Sequence, residues 1–205
     1  MKTTKRLLAL LLVLVMAVSL FAGCSSNQPA ETPNETTTVG SALEVLENTW
    51  AQFPEDEQFY VYGGAMEDHA AKAEADPDYQ VPNGPCDYNM AYAEGLAYTL
   101  LIPTEQMTNV DQAATMFHGM LANNFTSGVV HLAEGTDVAA FAAAVHESIK
   151  NNPWMCGFPE KELIAVVGGE YVLISFGIND AMTPFQTHFA AAYPQAEILY
   201  NDNLA

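Results

Sequence analysis

Positive charge is what this 205-residue chain has least of: Lys and Arg number six against 25 Asp and Glu. Three of the six, Lys2, Lys5 and Arg6, stand at the amino end, which leaves Lys72, Lys150 and Lys161 for everything else. A surface so poor in cations cannot displace the counterions of a phosphate backbone, so nucleic acid is excluded as a partner. Adhesion to anionic headgroups through charge is excluded for the same reason. Long apolar runs are also missing. Leu7 to Phe21 spans 15 residues, whereas a helix crossing about 30 Å of hydrocarbon needs roughly 20. The strong catalytic signatures are absent too: there is no Gly-x-Ser-x-Gly elbow, His-Glu-x-x-His pair, Walker loop or Cys-x-x-Cys. These absences favour an interaction or ligand-binding module over an enzyme, and no cofactor is indicated.

The amino end carries the clearest positive signal. The cationic start, the apolar segment to Phe21 and the small residues Ala22 and Gly23 read as a secretory signal peptide over 1–23. Leu20-Phe21-Ala22-Gly23-Cys24 resembles the lipobox of bacterial lipoproteins, with Phe21 where Leu is more usual. That resemblance implies that Cys24 receives a diacylglyceryl group and becomes the new amino terminus. Two acyl chains hold a protein on the membrane effectively for good, since each buried methylene contributes about 0.8 kcal/mol. The expected location is the extracytoplasmic face of the cell membrane, with the lipid anchor as the membrane contact. After Cys24, residues 25–38 are Ser, Asn, Gln, Pro, Glu and Thr with almost nothing apolar, which predicts a lipidated, disordered tether over 24–38.

Residues 39–205 are enough for one domain and too few for two. With the signal peptide removed, three lysines face all 25 acids, a formal charge of −22. Such a body is repelled by the lipid surface that anchors it. Glu44 to Asp111 holds 14 of the acids with Lys72 alone to balance them, so a cationic or protein partner at the cell surface is expected on this front half. The competing explanation is solubility. Apart from Cys24 there are two cysteines, Cys86 and Cys156. A disulfide between them would close a loop of about 70 residues and stabilise the domain by about 4 kcal/mol on the chain-entropy argument. Free thiols are the alternative, and the spacing does not suit a zinc site.

Helix and strand patterns alternate from Val39 onward. Ser41 caps a helix presenting Leu43, Leu46, Trp50 and Phe53. A short strand at 58–62 and a polar helix at 66–75 follow, and then a helix from Asp87 to Leu101 that competes with a strand at 96–102. Val110, Ala114, Phe117 and Leu121 recur at helical spacing. A strand at 128–133 leads, after Thr136, to a helix with Val138, Phe141, Val145 and Ile149 on one side, in a possible parallel crossover. Leu163–Val167 and Tyr171–Phe176 form a hairpin about Gly168-Gly169, the firmest element. Thr183-Pro184 opens a last helix, and 197–200 adds an edge strand. The order α-β-α-β-β-α predicts an α+β fold: a two-layer sandwich, its antiparallel or mixed sheet covered by helices on one face. On the segment Met120–Val130, the helix after Thr136 and the Gly-Gly-Glu-Tyr-Val-Leu-Ile hairpin with Phe176-Gly177, residues 110–190 resemble an uncharacterised family of small lipoproteins from low-GC Gram-positive bacteria. The resemblance implies the compartment and an α/β sandwich, and no activity.

Candidate chemistry is sparse. Glu67-Asp68-His69 with Asp76 and Asp78 offers oxygen ligands for a hard cation, but the spacing matches no calcium loop. His118 and His131 lack an identifiable carboxylate to orient them as bases, and Ser175, Asp180 and His188 form a trio of residue types only. The alternative function is a cation-dependent protein or a wall-associated hydrolase, built around His118 or His131 and two carboxylates. The loop 151–159 concentrates Trp154, Met155 and Phe158 where a connection is normally polar. Trp154 and Phe158 are thus the candidate binding residues, unless they fold down over the core.

Overall fold

A computed structural model describes residues 38–204. The signal peptide, Cys24 and all but the last residue of the tether lie outside the described residues. Ser41 caps the first helix as expected, its Oγ accepting from the Glu44 amide at 3.1 Å. This helix, α1 (Ala42–Trp50), buries Ala42, Val45, Leu46 and Thr49. Two short edge strands follow on either side of α2 (Met66–Ala75): β1 (Val61–Tyr62) and β2 (Cys86–Asp87). A single 3₁₀ turn then leads into α3 (Ala93–Leu100), so the helix prevails over the competing strand. Leu101 ends it in the left-handed region at φ 56°, a conformation that costs a non-glycine residue about 1–2 kcal/mol.

The rest is built on β3 (Val110–His118), β4 (Phe125–Leu132), β5 (Lys161–Val167), β6 (Tyr171–Gly177) and β7 (Glu197–Tyr200), with α4 (Val138–Lys150) and α5 (Asn179–Ala192) between them. The seven strands form one sheet in the order β1-β3-β4-β6-β5-β7, with β2 also on β3. Every pairing is antiparallel. The fold is therefore α+β, an open antiparallel sheet in a sandwich, as the sequence predicts. The β5–β6 hairpin turns at Gly168 and Gly169, whose φ of 64° and 88° fit the tight turn read from the sequence.

Two local expectations are corrected and one is made more specific. Val110–Phe117 is a strand, not a helix, because it is buried on both sides of the sheet and its apolar residues mimic a helical stripe. The parallel crossover after β4 is present, and it spans one strand, since β6 lies between β4 and β5. The last helix starts at Asn179, with the Ala181 and Met182 amides bonded to the Ile178 carbonyl, so Pro184 is interior rather than first.

Helices cover both faces, which corrects the expected two-layer arrangement with helices on one face only. α1 and α5 pack against Met116, Phe125, Val129 and Leu173. On the other side α3 and α4 pack against Val130, Ile164, Ile174 and Phe176. The strand directions account for this. β4 and β5 run parallel with β6 between them, and β6 and β7 run parallel with β5 between them. Both crossovers step the same way along the sheet from strands of opposite direction, so a common handedness puts α4 and α5 on opposite faces. On the α3 side, Gly128 lets the helix approach. A Cβ there would meet Leu100 Cδ1 at 2.5 Å and Cδ2 at 2.6 Å.

Candidate functional site

A cavity of about 710 Å³ opens where α3, the loop 151–157, the segment after β1 and the ends of β3, β4 and β6 converge. Its size is within the range of small-molecule sites, roughly 300–1,000 Å³. Aromatic rings make up much of its wall: Tyr62, Tyr88, Tyr98, Phe117, Trp154 and Phe176. Two pairs brace one another, Trp154 against Phe176 at 5.4 Å and Tyr62 against Phe117 at 5.5 Å between ring centres. Hydroxyls and amides of Thr99, Thr126, Asn123 and Asn152 intersperse the rings. Asn123 also ties down the opposite rim, its Nδ2 donating to the Cys156 and Gly157 carbonyls.

Among the described residues that line the cavity, Glu67 alone carries a formal charge. Burial, and then the Glu67 charge, hold the Tyr88 phenol above its usual pKa. Three apolar side chains ring the mouth in water: Met155 at 86 % exposure, Tyr98 at 84 % and Met66 at 55 %. The arrangement can surround an apolar body with rings and place one carboxylate beside it. It offers no cation to an anionic ligand.

Of the two expected contact residues, Trp154 is half-buried on Phe176 and forms part of this wall. Phe158 is 65 % exposed and is not among the lining residues. The expected Cys86–Cys156 disulfide is not formed. Both are free, Cys86 half-buried in β2 and Cys156 exposed on the cavity loop. These two places in the fold are not at bonding distance.

The remaining candidates disperse. His69 is buried, with Nδ1 bonded to the Tyr79 hydroxyl and Nε2 to the Gly63 carbonyl, both at 2.6 Å. Asp68 pairs with Lys72 at 2.7 Å, which holds its carboxyl below the usual range. The Glu67–Asp68–His69 group thus does not gather around a cation. Ser175 donates to Ser127 within the sheet, while His188 reaches Glu57 at 2.9 Å, so the Ser-Asp-His trio is not assembled. His118 ends β3 and stacks on Phe59. His131 does meet two carboxylates, Asp111 at 2.5 Å and Glu170 at 3.4 Å. Both ring nitrogens are engaged there, and this group does not line the cavity. Burial opposes protonation of His131, but the two carboxylates outweigh it and raise its pKa.

The cavity walls outside the loop 151–159 were not read from the sequence as a site. They lie between Tyr62 and Phe176, on elements that only the sheet brings together. No protein family, curated protein or solved structure matches the chain.

Proposed function

We propose that this is a lipid-anchored, extracytoplasmic binding protein that captures a small organic cation with an apolar body. The observation that carries the reading is the aromatic cavity with Glu67 as the one formal charge among its described lining residues. A cation over a ring face gains about 0.5–2 kcal/mol, and a carboxylate at the mouth adds attraction that an anion would meet as repulsion. The −22 body outside the signal peptide raises the local cation concentration in the same sense. The lipobox-like segment ending at Cys24 and the polar stretch after it support the location. Replacement of Cys24 by Ser should release the protein from the membrane fraction, and retention would refute the anchor.

Calorimetric titration with three probes of one shape tests the ligand class: phenethylammonium, neutral phenethyl alcohol and anionic 3-phenylpropionate. The expected order of affinity is cation, then neutral, with no detectable binding of the anion. Equal affinity for all three, or preference for the anion, overturns the reading.

A further inference from the structure

A second group of side chains stands apart from the cavity, where α4, β5 and the segment after β7 meet. Glu162 is the second residue of β5 and is fully buried, although its neighbours on that face are apolar. Its Oε1 lies 2.5 Å from His146 Nδ1 on α4. Its Oε2 is buried with no hydrogen-bond partner among the described residues. His146 is itself 6 % exposed, and Tyr200 stacks on its ring at 3.9 Å and 13°, which fixes the ring plane. The other ring nitrogen has Asp202 Oδ2 at 3.8 Å. One ligand atom from each of His146, Glu162 and Asp202 falls within 4.8 Å of the others.

We infer that His146, Glu162 and Asp202 bind a divalent transition ion of the Zn²⁺ or Mn²⁺ kind. The donor set is one imidazole and two carboxylates, which suits these ions. Calcium takes six to eight oxygens and is poorly served. Two carboxylates neutralise the charge of the ion, and the orphaned oxygen of Glu162 gains the partner that a buried carboxylate requires. The ion takes the place of the hydrogen between His146 Nδ1 and Glu162 Oε1, and that proton passes to solvent. Asp202 is half-exposed and gives the ion its route in. Its backbone is already held, because the Glu162 amide donates to the Asp202 carbonyl at 2.9 Å and the Leu204 amide to that of Glu160 at 2.8 Å. The ion would thereby pin the carboxyl-terminal segment to α4 and β5.

The test is titration of the chelator-stripped full chain with ZnCl₂, MnCl₂ and CaCl₂, together with the visible spectrum of the Co²⁺ form. Zinc should bind one to one and raise the melting temperature, with calcium at least 100-fold weaker. Asp202→Asn, an exposed change that leaves the core intact, should weaken zinc binding tenfold or more. Glu162→Gln, checked for folding by circular dichroism, should abolish the Co²⁺ bands. An isotherm that Asp202→Asn leaves unchanged would assign the ion to scattered surface acids and overturn the site. So would a cobalt–thiolate band lost in Cys86→Ser or Cys156→Ser, or the absence of saturable binding.

Discussion

Replacing Gly128 by Ala tests the packing that shapes the cavity. The added methyl would lie 2.5 Å from Leu100 Cδ1, 2.6 Å from Cδ2 and 3.1 Å from Cγ. Carbon atoms rest at about 3.5–4.0 Å, so Leu100 or its helix must move by about 1 Å. Leu100 is fully buried and is struck on both methyls and the branch carbon, so a rotamer change does not free it. α3 therefore shifts, and with it Gly95, Tyr98, Thr99 and Leu101 on the cavity wall. Overpacking of this kind costs about 1–3 kcal/mol, a sizeable part of the 5–15 kcal/mol typical of a domain. Leu100→Val alone should cost about 1 kcal/mol through lost burial. The double variant conserves volume, so it should be more stable than the sum of the two by about 1 kcal/mol or more. Urea denaturation of the four proteins at constant m-value measures the cycle, and phenethylammonium affinity should fall in Gly128→Ala and recover in the double variant. A neutral Gly128→Ala, or strictly additive costs, would refute the account of how α3 seats on β4.

Three further outcomes follow from the same structure. Trp154→Ala removes a cavity wall and should weaken phenethylammonium binding at least tenfold by calorimetry, whereas Phe158→Ala, which lies off the wall, should leave it unchanged. Because the His131 pKa is raised in the folded state, its stabilising effect is present below the ordinary imidazole value and fades as pH rises through the folded one. Asp111→Asn should then lower the urea midpoint at pH 5.5, by a few tenths of a kcal/mol in stability, and leave it unaltered at pH 9. In a Cys24→Ser background two thiols should titrate with a disulfide reagent. Exposed Cys156 should react first and Cys86, whose pKa burial raises, should follow slowly, with no effect of reductant on melting. A thiol count near zero or reductant-sensitive melting would mean that the bridge forms.

The sequence disclosed those elements whose two sides differ. The hairpin was legible because glycine at 168 and 169 admits the positive φ that its turn requires. α4 was legible because Phe141, Val145 and Ile149 line one side only. β3 was not, since helices cover the sheet on both faces and a doubly buried strand has no alternation to read. The second helical layer was hidden likewise: it depends on β6 inserting between β4 and β5, a long-range choice of partner. At the cavity, Trp154 was visible as an aromatic residue in a loop, but Phe158, equally conspicuous, points away. Glu162 and His146 carried a fainter signal. Each interrupts the apolar side of its element, and two such interruptions on facing elements are what a buried polar pair looks like before the fold is known.

The central claim is that Trp154 and Glu67 together recognise a cation with an apolar body. Emission from Trp154, isolated in a Trp50→Phe background, measures this directly during titration with phenethylammonium. A saturable change with one-to-one stoichiometry is predicted, weakened by salt and weakened several-fold in Glu67→Gln. An emission that does not respond, or a response that Glu67→Gln leaves intact, would contradict it.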